Sequence, residues 1–180
     1  MAHQEQKEFC LKIKDMLPDY FNNKSVLDVG SLDINGSNRY LFDNCSYYGI
    51  DVGDGPNVDF VSKAHEFQAV DSSYDVIIST ECFEHDMYYQ LSLVSIIRMI
   101  KTDGLFIFTC ATDGRVEHGT TKTSPADAPL LVNYGEWSNY YKNLTEKDIR
   151  DVIDMDISFK KYSFEVNDLS HDLYFWGIKK

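Results

Sequence analysis

Apolar positions along this chain recur in two alternating periods, one of helices and one of strands. Residues 3–17 place Phe9, Ile13, Met16 and Leu17 on one helical face, and Pro18 then stops the helix. SVLDVG at 25–30 predicts a short buried strand ending in glycine, followed by a polar loop and a short helix near 37–43. YYGIDV at 47–52 and VDFV at 58–61 predict a second and a third strand. YDVIIST at 74–80 is almost continuously apolar, as expected of a parallel strand covered on both faces. Residues 86–100 read as a helix, with Met87, Leu91, Val94 and Ile97 in one stripe and Leu93, Ile96 and Ile100 beside it. Lys101–Gly104 then predicts a turn before LFIFTCA at 105–111, the fifth strand. Thr145 and Asp148 form a capping-box pattern that opens a helix running to about Ile153. Two last strands, 157–166 and 171–179, are joined by so short a link that they must be antiparallel, because a parallel crossover needs a dozen or more residues.

This alternation predicts a single α/β domain over 1–180, with a helical segment at 1–24. Its core is a Rossmann-like, doubly wound, mostly parallel sheet of seven strands closed by a C-terminal antiparallel hairpin. Residues 112–144 fit no element, yet they carry Tyr134, Trp137, Tyr140 and Tyr141. Loops beyond roughly 12–15 residues are usually functional or disordered, and this one is too aromatic for disorder. It leaves the carboxyl end of strand five, where open α/β sheets place ligands. The segment therefore reads as a lid and acceptor-binding wall, or else as a packed surface loop.

Composition narrows the classes. The formal net charge is −12, which disfavours a nucleic-acid partner, and no basic cluster offsets it locally. The apolar runs are far shorter than the ~20 residues of a membrane helix, and MAHQEQKE lacks the order of a signal peptide. A soluble, cytoplasmic protein is expected. The four cysteines, at 10, 45, 82 and 110, have neither zinc nor disulfide spacing and read as reduced thiols.

Two features carry candidate chemistry. The first strand ends at Gly30, where a missing Cβ lets a ligand approach the backbone. Asp51 follows at the end of the second strand, placed to accept the hydroxyls of a ribose. A nicotinamide site would want G-x-G-x-x-G here. The loop is instead GSLDING, with Asp33 where a pyrophosphate would lie. That charge repels a diphosphate and suits a phosphate-free cation.

VLDVGSLDINGS, YYGIDV, YDVIISTECFEH and KTDGLFIFT together resemble the four motifs of class I S-adenosylmethionine-dependent methyltransferases of the type 11 branch. The resemblance implies S-adenosylmethionine as cofactor. Asp28, Gly30 and Ser31 would hold its methionine end, Asp51 and Val52 its ribose, Ala64 and His65 its adenine, and Thr80 and Glu81 would face its reactive end. Two departures stand out: the first motif lacks its second glycine, and the acid expected near the adenine is Lys63.

Among the histidines, His118 is either a base or acceptor contact or a solvated loop residue, and His85 is a structural group or a base. Glu84, His85, Asp86 and Asp113 could ligate a hard metal, but no spacing singles out a site and none is expected. With the acidic surface and aromatic loop, the resemblance favours a small-molecule or glycan acceptor, methylated on oxygen ahead of nitrogen. The alternatives are a non-catalytic binding module of the same fold and a nucleotide-dependent oxidoreductase.

Overall fold

The computed structural model describes residues 3–180, so Met1 and Ala2 of the 1–24 segment lie outside the described residues. Seven strands form one sheet: β1 (Ser25–Val29), β2 (Ser46–Asp51), β3 (Phe60–Val61), β4 (Tyr74–Thr80), β5 (Ile100–Ala111), β6 (Phe159–Asn167) and β7 (Asp172–Lys179). Their order is β3-β2-β1-β4-β5-β7-β6. The first five are mutually parallel, with Leu27 opposite both Tyr48 and Ile77, while β7 runs antiparallel to both β5 and β6. Four α-helices accompany the sheet: α1 (Gln4–Met16), α2 (Tyr89–Met99), α3 (Glu146–Arg150) and α4 (Met155–Ser158).

The period-2 pattern splits the core into two halves, because successive strand residues face opposite sides. Leu27, Ile77, Phe106 and Phe108 pack on one face with Leu93, Ile96 and Met99 of α2. Val26, Val76, Ile78 and Ile107 pack on the other with Phe9, Cys10 and Ile13 of α1. No described helix is long and apolar enough to cross a membrane. All four cysteines are free thiols.

Several expected elements shift. α2 starts at Tyr89, and its stripe is the neighbouring one: Leu91 and Val94 are 54% and 56% exposed, whereas Leu93 and Ile96 are fully buried. Both stripes satisfy a 3.6-residue period, and only the sheet decides which is covered. Met16 likewise lies outside the buried face of α1. The helix expected near 37–43 is a single 3₁₀ turn, Asn38–Leu41. Lys101–Gly104 belongs to β5, where the pairing shifts register and Asp103 takes a φ of +62°. The capping box at Thr145 forms as expected, though α3 ends at Arg150, and α4 delays β6 to Phe159.

The sheet order reverses between β1 and β4, so the connections leaving these two strands diverge and a crevice opens at their carboxyl ends. The 112–144 segment, folded into three 3₁₀ turns, lies across that end of the sheet.

Candidate active site

Gly30 ends β1 with a φ of +78°, and its amide donates to the Ile50 carbonyl at 2.9 Å, tying the first loop to β2. The position needs glycine for two reasons: L side chains rarely adopt that φ, and a Cβ would stand 2.5 Å from Cys82 Sγ. The missing Cβ makes room for Cys82, while the Gly30 backbone lines the crevice. Gly30→Ala should destabilise the protein by about 2 kcal/mol, combining the left-handed penalty with the clash, measurable as a lowered urea midpoint.

Asp51 holds the crevice together from its centre. Its Oδ2 accepts from the Leu32 amide at 3.0 Å and its Oδ1 from the Val52 amide at 2.7 Å. Burial raises its pKa, partly countered by those two amides. Asp28 is buried too. Burial lifts its pKa to about 6 against the hydroxyl of Tyr47 and the side-chain amide of Asn38, which both donate to it. Asn38 also donates to Thr80 Oγ1 at 3.1 Å, linking the ends of β1 and β4. Ser31 Oγ donates to the Asn57 carbonyl, and Asn57 Nδ2 donates back to the Ser31 carbonyl. Neither Asn38 nor Asn57 carried a sequence signal; a polar residue in a loop has none until its partner is known.

The crevice is lined by Asp28, Gly30, Ser31, Asp51, Val52, Ala64, Thr80 and Glu81 of the residues expected there, together with Cys82 and His85. His65 is not among them: its ring tilts against Tyr88 at a centroid distance of 4.8 Å, one step round the turn from Ala64. Asp33 is also absent from the wall and accepts from the Gly36 amide at 2.7 Å, while Asn35 and Gly36 line it instead. Asp127–Leu131 and Trp137 of the long segment cover the opening. Among the described residues the lining holds Asp28, Asp51, Glu81, Asp86 and Asp127 but no lysine or arginine.

Glu81 sits just past β4 with a φ of +52°, a conformation that costs a non-glycine residue about 1–2 kcal/mol and tends to persist at functional sites. Thr109 Oγ1 donates to it at 2.8 Å. His3 Nε2 lies 3.0 Å from Asp172 and 3.6 Å from Glu81, and Arg115 stands 3.4 Å from Asp172. Burial alone would lower the pKa of His3, yet the carboxylates of Asp172 and Glu81 hold its proton and raise the value to about 10. The charge on His3 in turn holds Glu81 below its ordinary value despite burial. His3, Asp172 and Arg115 escaped the sequence reading because they come from three distant segments.

A second cluster lies beside this one. The 3₁₀ turn Phe83–His85 buries Glu84 and His85, and His118 from the long segment meets them. The His85 and His118 rings are 5.1 Å apart, and Tyr141 packs edge-on against both. His118 is therefore no solvated loop residue; it is 9% exposed. Burial, helped by the nearby His118, lowers the pKa of His85 to about 3, and burial with the charge of Glu81 raises that of Glu84 to about 8. Asp86 and Asp113 stand outside the group. His118 lines a second cleft with His3, Arg115 and Thr123, and Asn35 and Asp127 border both clefts.

This architecture, seven strands ordered 3-2-1-4-5-7-6 with a crevice at the β1–β4 reversal, is the fold of class I S-adenosylmethionine-dependent methyltransferases. Among solved structures, it is similar to the Burkholderia thailandensis 1,6-didemethyltoxoflavin-N1-methyltransferase with bound 1,6-didemethyltoxoflavin and S-adenosylhomocysteine. That match has a TM-score of 0.66 and 14% identity over 97% of this chain and 78% of the other. A putative sarcosine dimethylglycine methyltransferase from Galdieria sulphuraria gives a TM-score of 0.61 and 12% identity, covering 97% of this chain and 84% of its own. Phosphoethanolamine N-methyltransferase 2 from Haemonchus contortus, in complex with S-adenosyl-L-methionine, gives 0.65 and 13% over 96% of this chain, which spans only 52% of that protein. No family model matches the sequence, and no curated protein does.

Proposed function

We propose that this protein is an S-adenosylmethionine-dependent methyltransferase acting on a hydroxyl of a small-molecule or sugar-type acceptor. One observation carries the choice of cofactor: among the described residues, five acidic residues and no lysine or arginine line the crevice. Such a wall repels a diphosphate and attracts an ammonium and a sulfonium. Asp28, Gly30 and Ser31 would hold the methionine end, Asp51 and Val52 the ribose, and Ala64 the adenine edge, now without His65. Thr80 and Glu81 would border the reactive end.

When bound, S-adenosylmethionine, held by Asp28, Gly30, Ser31, Asp51 and Val52, would supply an activated methyl group on sulfur for transfer to the acceptor oxygen, whose hydroxyl proton would leave to a base or water. The chain's own part is to orient the acceptor and receive that proton. Orientation can supply roughly 7–11 kcal/mol and a placed base about 10²–10⁴-fold. The second cleft, bordering the crevice at Asn35 and Asp127, would take the acceptor, with His118 on its wall. His118 can receive a proton as a neutral imidazole, because burial lowers its pKa. His85 is too weak a base for this, at about 3. The long segment then serves as lid and acceptor wall.

Differential unfolding in the presence of ligands tests the reading. S-adenosylhomocysteine at 100 times its dissociation constant should add about 2.7 kcal/mol of stability, and NAD should add none. No stabilisation by S-adenosylhomocysteine, or a preference for NAD, would overturn the assignment.

A further inference from the structure

We propose that Glu84, His85 and His118 bind a divalent transition-metal ion of the zinc class at the seam between the two clefts. Each offers a ligand atom, and these atoms all lie within 4.8 Å of one another. Ligands ~2.1 Å from a tetrahedral ion stand about 3.4 Å apart, so small side-chain rotations would close the set.

Among the described residues, the polar atoms here lack the partners that buried groups require. Glu84 is 0% exposed, and neither of its carboxylate oxygens has a hydrogen-bond partner. His85 is 6% exposed, and neither ring nitrogen has one. Buried polar groups are normally hydrogen-bonded or coordinate metals, because leaving them without a partner is costly. His118 is already oriented as a ligand, since its Nδ1–H donates to the Val116 carbonyl at 3.1 Å and leaves the lone pair of Nε2 free. A backbone carbonyl behind a ligating histidine is the usual outer support.

The local backbone favours the same geometry. Gly119, with a φ of +67°, lets the His85 ring approach so closely that a Cβ there would stand 2.6 Å from Cε1. The contrast with the neighbouring cluster is informative. Glu81 and Asp172 share the imidazole of His3, so a cation already compensates them. Among the described residues, no cationic side chain is paired with Glu84.

Two imidazoles and one carboxylate select zinc and its first-row neighbours over magnesium or calcium, which prefer all-oxygen shells. Three protein ligands leave a coordination position open. His85 lines the first cleft and His118 the second, so an oxygen on that position would lie between them. There the ion would lower the pKa of an acceptor hydroxyl and stand in for His118 as base, since it would occupy the Nε2 lone pair, and the proton would leave to water. That use rests on the methyl-transfer reading; the binding itself does not.

The full chain, stripped with chelator, should take up one Zn²⁺ in a calorimetric titration without any cofactor. Co²⁺ should give the intense visible absorption of a four- or five-coordinate site. Glu84→Gln and His118→Ala should each weaken binding by more than the roughly 100-fold that loss of an outer support can cost, while S-adenosylhomocysteine still binds both. Should Glu84→Gln fail to fold, His118→Ala, on the loop beside the open cleft, decides alone. Uptake of less than one ion by the wild type, or wild-type affinity in His118→Ala, overturns the proposal. Metal uptake without S-adenosylhomocysteine binding supports the ion site and refutes the methyl-transfer reading alone.

Discussion

Asp51→Ala should weaken S-adenosylhomocysteine binding by about 10²–10⁴-fold. A hydrogen bond to an ionised group contributes roughly 1.5–3 kcal/mol, and a carboxylate accepting both ribose hydroxyls would make two. Isothermal titration reads the loss. Asp51 also holds the Leu32 and Val52 amides, so its removal loosens the loop that shapes the crevice. Asp51→Asn keeps one carbonyl acceptor and the side-chain volume, and it should lie between wild type and alanine. Urea midpoints measured alongside separate damage to the site from damage to the fold. A folded Asp51→Ala that binds as well as wild type would move the ribose contact elsewhere.

His3→Ala should lower stability by about 3 kcal/mol near pH 6, because it strands two buried carboxylates, Glu81 and Asp172. Arg115 remains beside Asp172 and limits the loss. The sign with pH follows from the shifted pKa. In the folded chain His3 titrates at about 10, against 6.5 when unfolded. Its contribution is therefore complete below about pH 6.5 and fades as the pH rises through about 10. Glu81, held low, behaves oppositely: its contribution is lost when the pH falls through the acid range. The gap between wild type and His3→Ala should thus peak between about pH 5 and 6.5 and nearly close at about pH 10. A gap independent of pH would mean that His3 acts by packing alone. The pair joins the start of α1 to the ends of β4 and β7, so distant parts of the chain meet at the candidate site.

The residues at strand ends were legible from sequence because a parallel sheet lines up its carboxyl termini. Asp28, Gly30, Asp51 and Thr80 end or follow β1, β2 and β4, and once those strands were recognised their convergence followed. Residues on turns were less secure. Ala64 and His65 are neighbours, and a single step round a 3₁₀ turn puts one on the crevice wall and the other against Tyr88. Asp33 shows how a sound electrostatic conclusion can rest on the wrong group. The crevice is acidic, but through Asp28, Asp51, Glu81, Asp86 and Asp127 rather than through the loop carboxylate.

By itself, the order of apolar runs determined the α/β class, the parallel strands, the closing antiparallel hairpin and the crevice-facing strand ends. These depend on contacts between near neighbours and on two short periods, which a linear chain displays openly. Only the tertiary structure decided which stripe of α2 is buried, where the long aromatic segment lies, and that His3 meets Asp172. It alone brought His118 to Glu84 and His85. Contacts between residues 30 to 170 positions apart leave no periodic trace, because each is made by the packing of whole elements rather than by local geometry.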